Sequence, residues 1–391
     1  MLSKTPDNLN MEHLWSSEEI FFEGDLYFQR LLEDFQKAQN SITIEVYMFS
    51  EDTLGLKIQD ALIKARERGV HIQIIIDGIG SHELSTSFLK RFHDSGIRIK
   101  VYNPLPFYHP LYGKLNWSKK FLITNKRALR INKRNHRKIF IIDENILYTG
   151  SFNISATHTS DHYELAWQDM GVRVTGDSVA FGTLNFKKNW KLRDYYRYRK
   201  FLKKKKTFFQ WKQFPLRLNQ NLLMRNYFYI DLVRRIKKSQ KRIWLTTPYF
   251  IPKRRLIKLL ARAAQKGVDV TILISDKSDV PFFQTLQYFY YSYLLKSGVK
   301  IYHYTNTVLH AKNFIIDDWI TIGSSNLNHR SFIHDLEADL IITQESNREL
   351  ILNHFRDSLL EENRITQEVL NQRPWYDKLL GRILFTFKYW F

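Results

Sequence analysis

Apolar positions in this chain switch between two spacings, and the switches come in a repeated order. Gln39–Phe49 reads QNSITIEVYMF and Gln240–Phe250 reads QKRIWLTTPYF, both with strand character. Each leads into a helix-spaced stretch that stops at a glycine: Gly69 in ALIKARERGVHIQIIID and Gly267 in LARAAQKGVDVTILISD. A β-branched run follows each glycine, as where a C-cap ends a helix and a strand begins. A second helix ends at Gly96 in SGIRIKVY and at Gly298 in SGVKIYHY. NHRKIFIIDENILYTGSFN and LHAKNFIIDDWITIGSSN then form a third matching block. Strand, helix, strand, helix, strand and a hairpin-like pair thus occur twice. The pattern predicts an α/β fold of two similar halves, each a mixed, mostly parallel sheet flanked by helices, packed pseudo-symmetrically around one shared site.

The expected division is a lead-in over 1–24, a first half over 25–190, a joint over 191–214, a second half over 215–373 and a tail over 374–391. Forty residues separate Gly96 from His136, but only twelve separate Gly298 from His310. The first half therefore carries an insertion over 103–134, rich in Pro, aromatic and basic residues. An insertion of that length beside a site is more often functional than inert.

Composition narrows the partners. Lys and Arg number 60 against 39 Asp and Glu, a net charge of +21. Such an excess faces a polyanion, either nucleic acid or an anionic membrane. The joint, with four consecutive lysines at Lys203–Lys206 among Trp, Tyr and Phe, suits a surface where headgroups meet acyl chains. Cysteine is absent, which excludes disulfides and thiolate metal sites. No run of 18 or more apolar residues occurs and no signal peptide is expected, so any membrane contact is peripheral.

The chemistry resides in the third block. His136-Arg-Lys138 and His310-Ala-Lys312 are followed by Asp143 and Asp317 at the same spacing, so both halves read H-x-K-x-x-x-x-D. Each continues into G-S-x-N, with Ser151 and Asn153 in one half and Ser324 and Asn326 in the other. In a strand, residues i and i+2 share a face, so each His and Lys point together. Two facing copies would bring two imidazoles and two ammonium groups into one pocket. One imidazole can attack phosphorus while the other handles the proton, and the lysines stabilise charge on the non-bridging oxygens. The Ser and Asn side chains are candidate phosphate binders. The lysines would repel a cation, so neither a metal nor another cofactor is expected.

Asp143 belongs to the catalytic motif but lies an odd seven residues, about 23 Å, beyond His136 on a continuous strand. Asp143 and Asp317 are therefore expected to act structurally. Asp169 in WQDMGVRV and Glu337 in DLEADLII are the candidates for orienting the histidines, with Glu164 competing with Asp169 for His136.

The duplicated motif resembles that of the phospholipase D superfamily. PYFIPKRRL, SDVPFF, VLHAKNFIID and TIGSSNLNHRSF resemble the second half of bacterial cardiolipin synthases, and DGIGS with NHRKIFIID the first. The resemblance runs from about Asp25 to Arg373 and fits the shorter class lacking N-terminal transmembrane helices. It implies metal-independent phosphatidyl transfer from phosphatidylglycerol to a second phospholipid hydroxyl, with release of glycerol. It also implies His136 as nucleophile, His310 as general acid and base, and a peripheral location on the bacterial inner membrane. The residues alone leave the two histidines equivalent. A hydrolytic phospholipase D is the nearer rival; a nuclease is less favoured, and no nucleic-acid partner is expected.

Two further segments bear on lipid. Asp279–Gly298 is an aromatic-rich helix just ahead of His310, a candidate for acyl-chain contact. After Pro374, WYDKLLGRILFTFKYWF places Tyr376, Leu380, Ile383, Leu384, Phe387, Trp390 and Phe391 on one side and Asp377, Lys378, Gly381, Arg382 and Lys388 mostly on the other. That pattern predicts a helix lying in the headgroup layer, with docking on the protein's own core as the alternative.

Overall fold

The computed structural model describes residues 15–104, 108–109, 113–114, 132–160, 166–191, 215–278 and 283–386. Most of the insertion, nearly all of the joint, Glu164 and the last five residues lie outside that set.

The first half begins with β1 (Ser17–Phe21), α1 (Gly24–Lys37), β2 (Ser41–Val46) and α2 (Thr53–Glu67). It continues with β3 (His71–Asp77), α3 (Thr86–Asp94), β4 (Arg98–Tyr102), β5 (Lys138–Ile142), β6 (Ile146–Gly150), β7 (Gly171–Thr175) and α4 (Ala180–Lys191). Its seven-stranded sheet has the order β1-β7-β6-β5-β2-β3-β4. The second half repeats this with β8 (Leu216–Leu218), α5 (Leu222–Lys238), β9 (Arg242–Thr247), α6 (Arg254–Gln265), β10 (Asp269–Ser275), α7 (Phe283–Lys296) and β11 (Lys300–Tyr304). Then follow β12 (Asn313–Ile316), β13 (Trp319–Gly323), β14 (Ala338–Ile341) and α8 (Glu345–Asp357). The order β8-β14-β13-β12-β9-β10-β11 matches the first sheet strand for strand.

The sheets are mixed, but the balance is antiparallel rather than mostly parallel. Among the described residues of the two seven-stranded sheets, only β2–β3, β3–β4 and their counterparts β9–β10, β10–β11 run parallel. Those strands are joined by helices, which a parallel crossover requires. The motif strand β5 turns back into β6 through a short hairpin, and β2–β5, β5–β6 and β6–β7 are all antiparallel. Ser17–Phe21, placed by sequence in the lead-in, is an edge strand of the first sheet.

Both faces of each sheet are apolar, which explains the unbroken hydrophobic runs. In β5, Phe140 and Ile142 join the core beneath the helices of the first half, whereas Ile139 and Ile141 join a core shared with Ile315, Ile320 and Ile322 of the second. The shared core packs the two sheets face to face, with Ile351 and Phe355 of α8 joining it. Gly69 and Gly267, with φ of 96° and 87°, end the second helix of each half as the pattern predicts.

Candidate active site

Each motif histidine lies in an extended segment just ahead of its strand, and that segment pairs across the molecule. His136 N–H donates to the Leu336 carbonyl at 2.9 Å, and His310 N–H to the Gln168 carbonyl at 2.8 Å. Those carbonyls directly precede Glu337 and Asp169. Each acid is thereby delivered to the histidine of the other half. His136 Nδ1 lies 3.0 Å from Glu337 Oε2, and His310 Nδ1 lies 2.8 Å from Asp169 Oδ1. The sequence pairing of Asp169 with His136 is therefore corrected: both acids are present, but crossed. Equivalence between repeats identifies matching acids without saying which half each one serves.

The partners of Nδ1 define the tautomers. His136 Nδ1 faces Glu337 and the Ser324 carbonyl, both acceptors, so it carries the proton. His310 Nδ1 likewise donates to Asp169. Neither Nε2 has a hydrogen-bond partner among the described residues, which leaves two lone pairs for chemistry. Burial lowers the pKa of His136 well below its ordinary value, reinforced by Lys138 and Lys312. Burial likewise lowers His310 to about 3, more than Asp169 can offset. Both rings are neutral in the free protein. Asp169 stays ionised because its two imidazole partners outweigh its burial, whereas burial raises Glu337 against the pull of Lys138.

Lys138 and Lys312 are buried. Lys138 Nζ donates to the His136 carbonyl at 2.8 Å, and Lys312 Nζ to the His310 carbonyl, so each lysine is tied to its own histidine. Burial lowers Lys138 to about 8.

The remaining expected residues divide. Asp143 and Asp317 are not in the site. Asp143 accepts the N–H groups of Gln39, Asn40 and Ser41 at 2.7–2.8 Å, and Asp317 those of Gln240, Lys241 and Arg242 at 2.8–3.0 Å. Each clamps the entry to β2 or β9, while Lys138 pairs with Val46 at the other end of β2. Ser151 and Ser324, expected on phosphate, are engaged otherwise. Ser151 Oγ bonds the Met170 backbone, and Ser324 Oγ donates to Glu337. The preceding glycine is required by packing: a Cβ on Gly150 would lie 2.4 Å from the Met170 carbonyl, and one on Gly323 2.1 Å from Asp339 Oδ1. Asn153 and Asn326 keep amide nitrogens without a partner among the described residues, so they remain candidate phosphate donors.

Sequence reasoning missed His158 and Ser331. His158 Nδ1 lies 2.6 Å from Asp169 Oδ2, and Ser331 Oγ donates to Glu337 Oε1 at 2.6 Å. Each stands five residues after the motif asparagine, an offset shared by the two repeats. It also missed Asp77, which accepts the Asn135 N–H at 2.8 Å and so braces the residue before His136. His158, Asp169 and His310 place their donor atoms within 4.8 Å of one another. Both imidazole Nδ1 atoms there already face a carboxylate oxygen, which makes the group a hydrogen-bonded chain rather than a set of open ligands.

Comparison with known proteins agrees with this arrangement. The family described as "Cardiolipin synthase, PLD-like domain" matches residues 31–176 and 232–359. Cardiolipin synthase B of Salmonella typhimurium is 30% identical over 376 residues, spanning 93% of this chain and 86% of the relative. Cardiolipin synthase 1 of Staphylococcus epidermidis is 31% identical, spanning 91% and 70%. The crystal structure of a phosphatidylserine synthase from Haemophilus influenzae shares the fold, with a TM-score of 0.66 at 14% identity over 97% of this chain and 94% of that one.

Proposed function

The chain belongs to the cardiolipin synthase family of phospholipase D-like proteins, and on that premise we propose that it transfers a phosphatidyl group from phosphatidylglycerol to the hydroxyl of a second phospholipid. The observation that carries this reading is the crossed pair of histidines, each held by a carboxylate of the other half and each with a buried lysine bonded to its own carbonyl. In the first step His136 Nε2 attacks phosphorus, forming a P–N bond as the P–O bond to glycerol breaks. His310 gives the leaving oxygen its proton. In the second step His310 takes the proton of the incoming lipid hydroxyl, whose oxygen attacks phosphorus and releases His136. Both rings are neutral without substrate, so the proton on His310 is favoured only once the anionic diester sits beside the two lysines. The lysines and the Asn153 and Asn326 amides stabilise charge on the non-bridging oxygens.

The tail supports a membrane-facing role, with its residues divided between inward and outward sides otherwise than the sequence pattern predicts. The last helix, α9 (Trp375–Thr386), docks on α7 through Asp377 and Gly381 of the side expected to be polar, while Leu384 of the apolar side packs against the core and Arg382 is exposed. Asp377 accepts from Thr285 Oγ1 at 2.8 Å, and Gly381 is buried where a Cβ would lie 3.0 Å from the Thr285 carbonyl. The outward side carries Trp375, Tyr376, Leu379 and Ile383, 49–75% exposed, beside exposed Phe289 and Tyr293 of α7. Much of the rest of α7 is core. No helix among the described residues is long and apolar enough to cross a membrane. An aromatic-apolar face on a chain of +21 charge suits the interface of an anionic bilayer.

The test is incubation of pure protein with phosphatidylglycerol vesicles. Cardiolipin and glycerol in equal amounts are expected; phosphatidic acid as the main lipid product would make the enzyme a hydrolase. Replacing Leu379 and Ile383 with serine should weaken vesicle binding by at least about tenfold, given roughly 25 cal/mol per Å² of apolar area, and leave the melting temperature unchanged.

A further inference from the structure

His158 occupies a place in the first half that a much smaller residue fills in the second. It lies in a 3₁₀ turn at Ala156–His158, five residues after Asn153; Ser331 lies in a short helix at His329–Ile333, five residues after Asn326. The two make the same pair of bonds. Asn153 N–H donates to His158 Nε2 at 3.3 Å, and Asn326 N–H donates to Ser331 Oγ at 3.1 Å. His158 Nδ1 then donates to Asp169 Oδ2 at 2.6 Å, as Ser331 Oγ does to Glu337 Oε1. The other oxygen of each acid serves the motif histidine of the opposite half. A short acid with a long donor in one half thus replaces a long acid with a short donor in the other. The span from the asparagine backbone to the remote histidine is bridged either way.

We infer that His158 is a positioning residue: a neutral imidazole, locked as its Nδ1–H tautomer by the Asn153 N–H, that holds Asp169 against His310. Its Nε2 is occupied, unlike those of His136 and His310, so it is neither nucleophile nor acid. With Nε2 accepting the Asn153 N–H, its Nδ1–H is left to donate to Asp169. Buried and shielded from water, it keeps Asp169 ionised and singly oriented, and so fixes which nitrogen His310 presents. The groups facing Asp169 are His310 and His158, with Lys138 and Tyr27 acting electrostatically. The chain also links the asparagine of one motif to the histidine of the other, which couples the half-sites through one carboxylate.

The inference concerns the same site as the proposed transferase reaction and rests on that reading for its lipid substrate only. The experiment therefore uses two substrates, phosphatidylglycerol vesicles and soluble bis(p-nitrophenyl) phosphate, with four variants of the full chain. His158→Ala should lower kcat on both by about 10–100-fold with little change in KM, the range typical of lost outer-shell partners. His158→Asn, which keeps an N–H near the Nδ1 position, should recover most of that loss. His158→Ser should be impaired as the alanine variant is, and adding Asp169→Glu to it grafts the second half's pair onto the first and should raise kcat at least several-fold. Nitrogen NMR of labelled histidine should show the His310 Nδ1–H signal sharp in the wild type and broadened in His158→Ala. A folded His158→Ala protein with wild-type kcat and an unaltered His310 signal would overturn the inference, as would a graft no faster than His158→Ser. Should the alanine variant fail to fold, the asparagine variant and the graft decide. A wild type inactive on lipid but active on the soluble diester would count against the lipid assignment, and the variant series would still decide the role of His158.

Discussion

The surroundings of His136 and His310 come from the same repeat and differ in charge. Beside His136, Arg137 is fully buried, with its Nη1 3.3 Å from Glu45 Oε1. Asn135 and Asn189 also donate to Glu45, at 2.9 and 3.0 Å. At the matching places of the second half stand Ala311 and Thr246. The ion pair is thus present as a pair on one side and absent as a pair on the other. The ring neighbours differ too: Tyr47 is 5.1 Å from His136, whereas Trp167 and His158 are each 5.6 Å from His310. Duplication preserved the backbone frame, which fixes where each nitrogen points. It left the surrounding charges free to diverge, and two chemically identical imidazoles could then take unequal tasks.

The largest effect should come from breaking the pair itself. His136→Ala and His310→Ala are each expected to lower transfer by about 10⁴-fold or more without unfolding the protein, since neither ring can take over both tasks. The comparison sharpens on acid-quenched samples. His310→Ala should still form phosphohistidine and His136→Ala should not; the reverse outcome would exchange their roles.

The ion pair offers the next test. Arg137→Ala strands Glu45 in the interior and should destabilise the fold by about 3–5 kcal/mol, the usual cost of an orphaned buried charge. Combining it with Glu45→Thr recreates the second half's arrangement and should restore much of that loss in denaturant unfolding. No recovery would mean that Arg137 acts through its unshared bond to the Glu337 carbonyl at 3.3 Å.

Asp143→Asn and Asp317→Asn test a feature the halves share. Each should cost about 1–3 kcal/mol through weakened bonds to three backbone N–H groups, with turnover per folded molecule unchanged. A normal melt with lost turnover would return these residues to the chemistry.

The smallest expected effect is in pH dependence. Lys138 titrates near pH 8, and its ammonium form is the one that holds phosphate, so kcat/KM should fall as pH rises through about 8. Lys138→Arg should move that limb upward, because a guanidinium stays charged. His136 is lowered as well, and it must be neutral to attack phosphorus, so the acid limb for free enzyme should lie below the usual histidine range.

Much of this molecule was legible before its structure. Repeats, caps and motif spacing are local properties, and Gly69, Gly267 and the twofold H-x-K-x-x-x-x-D express them within a few residues. The structural role of Asp143 also followed from parity and reach along a strand. Asp169 and Glu337 stood out as acids, yet their crossing did not, because it depends on two sheets packing face to face through Ile139, Ile141, Ile315 and Ile320. His158 and Ser331 share an offset that sequence displays, but a histidine and a serine become equivalent only when an Asp and a Glu of different reach are seen beneath them. The tail shows the same limit from the other side. Its amphipathic spacing was plain, but a close approach of Gly381 to Thr285 decided which face turned inward. Periodicity marks the two faces of a helix; only a partner surface, by shape and hydrogen bonds, determines which one is covered.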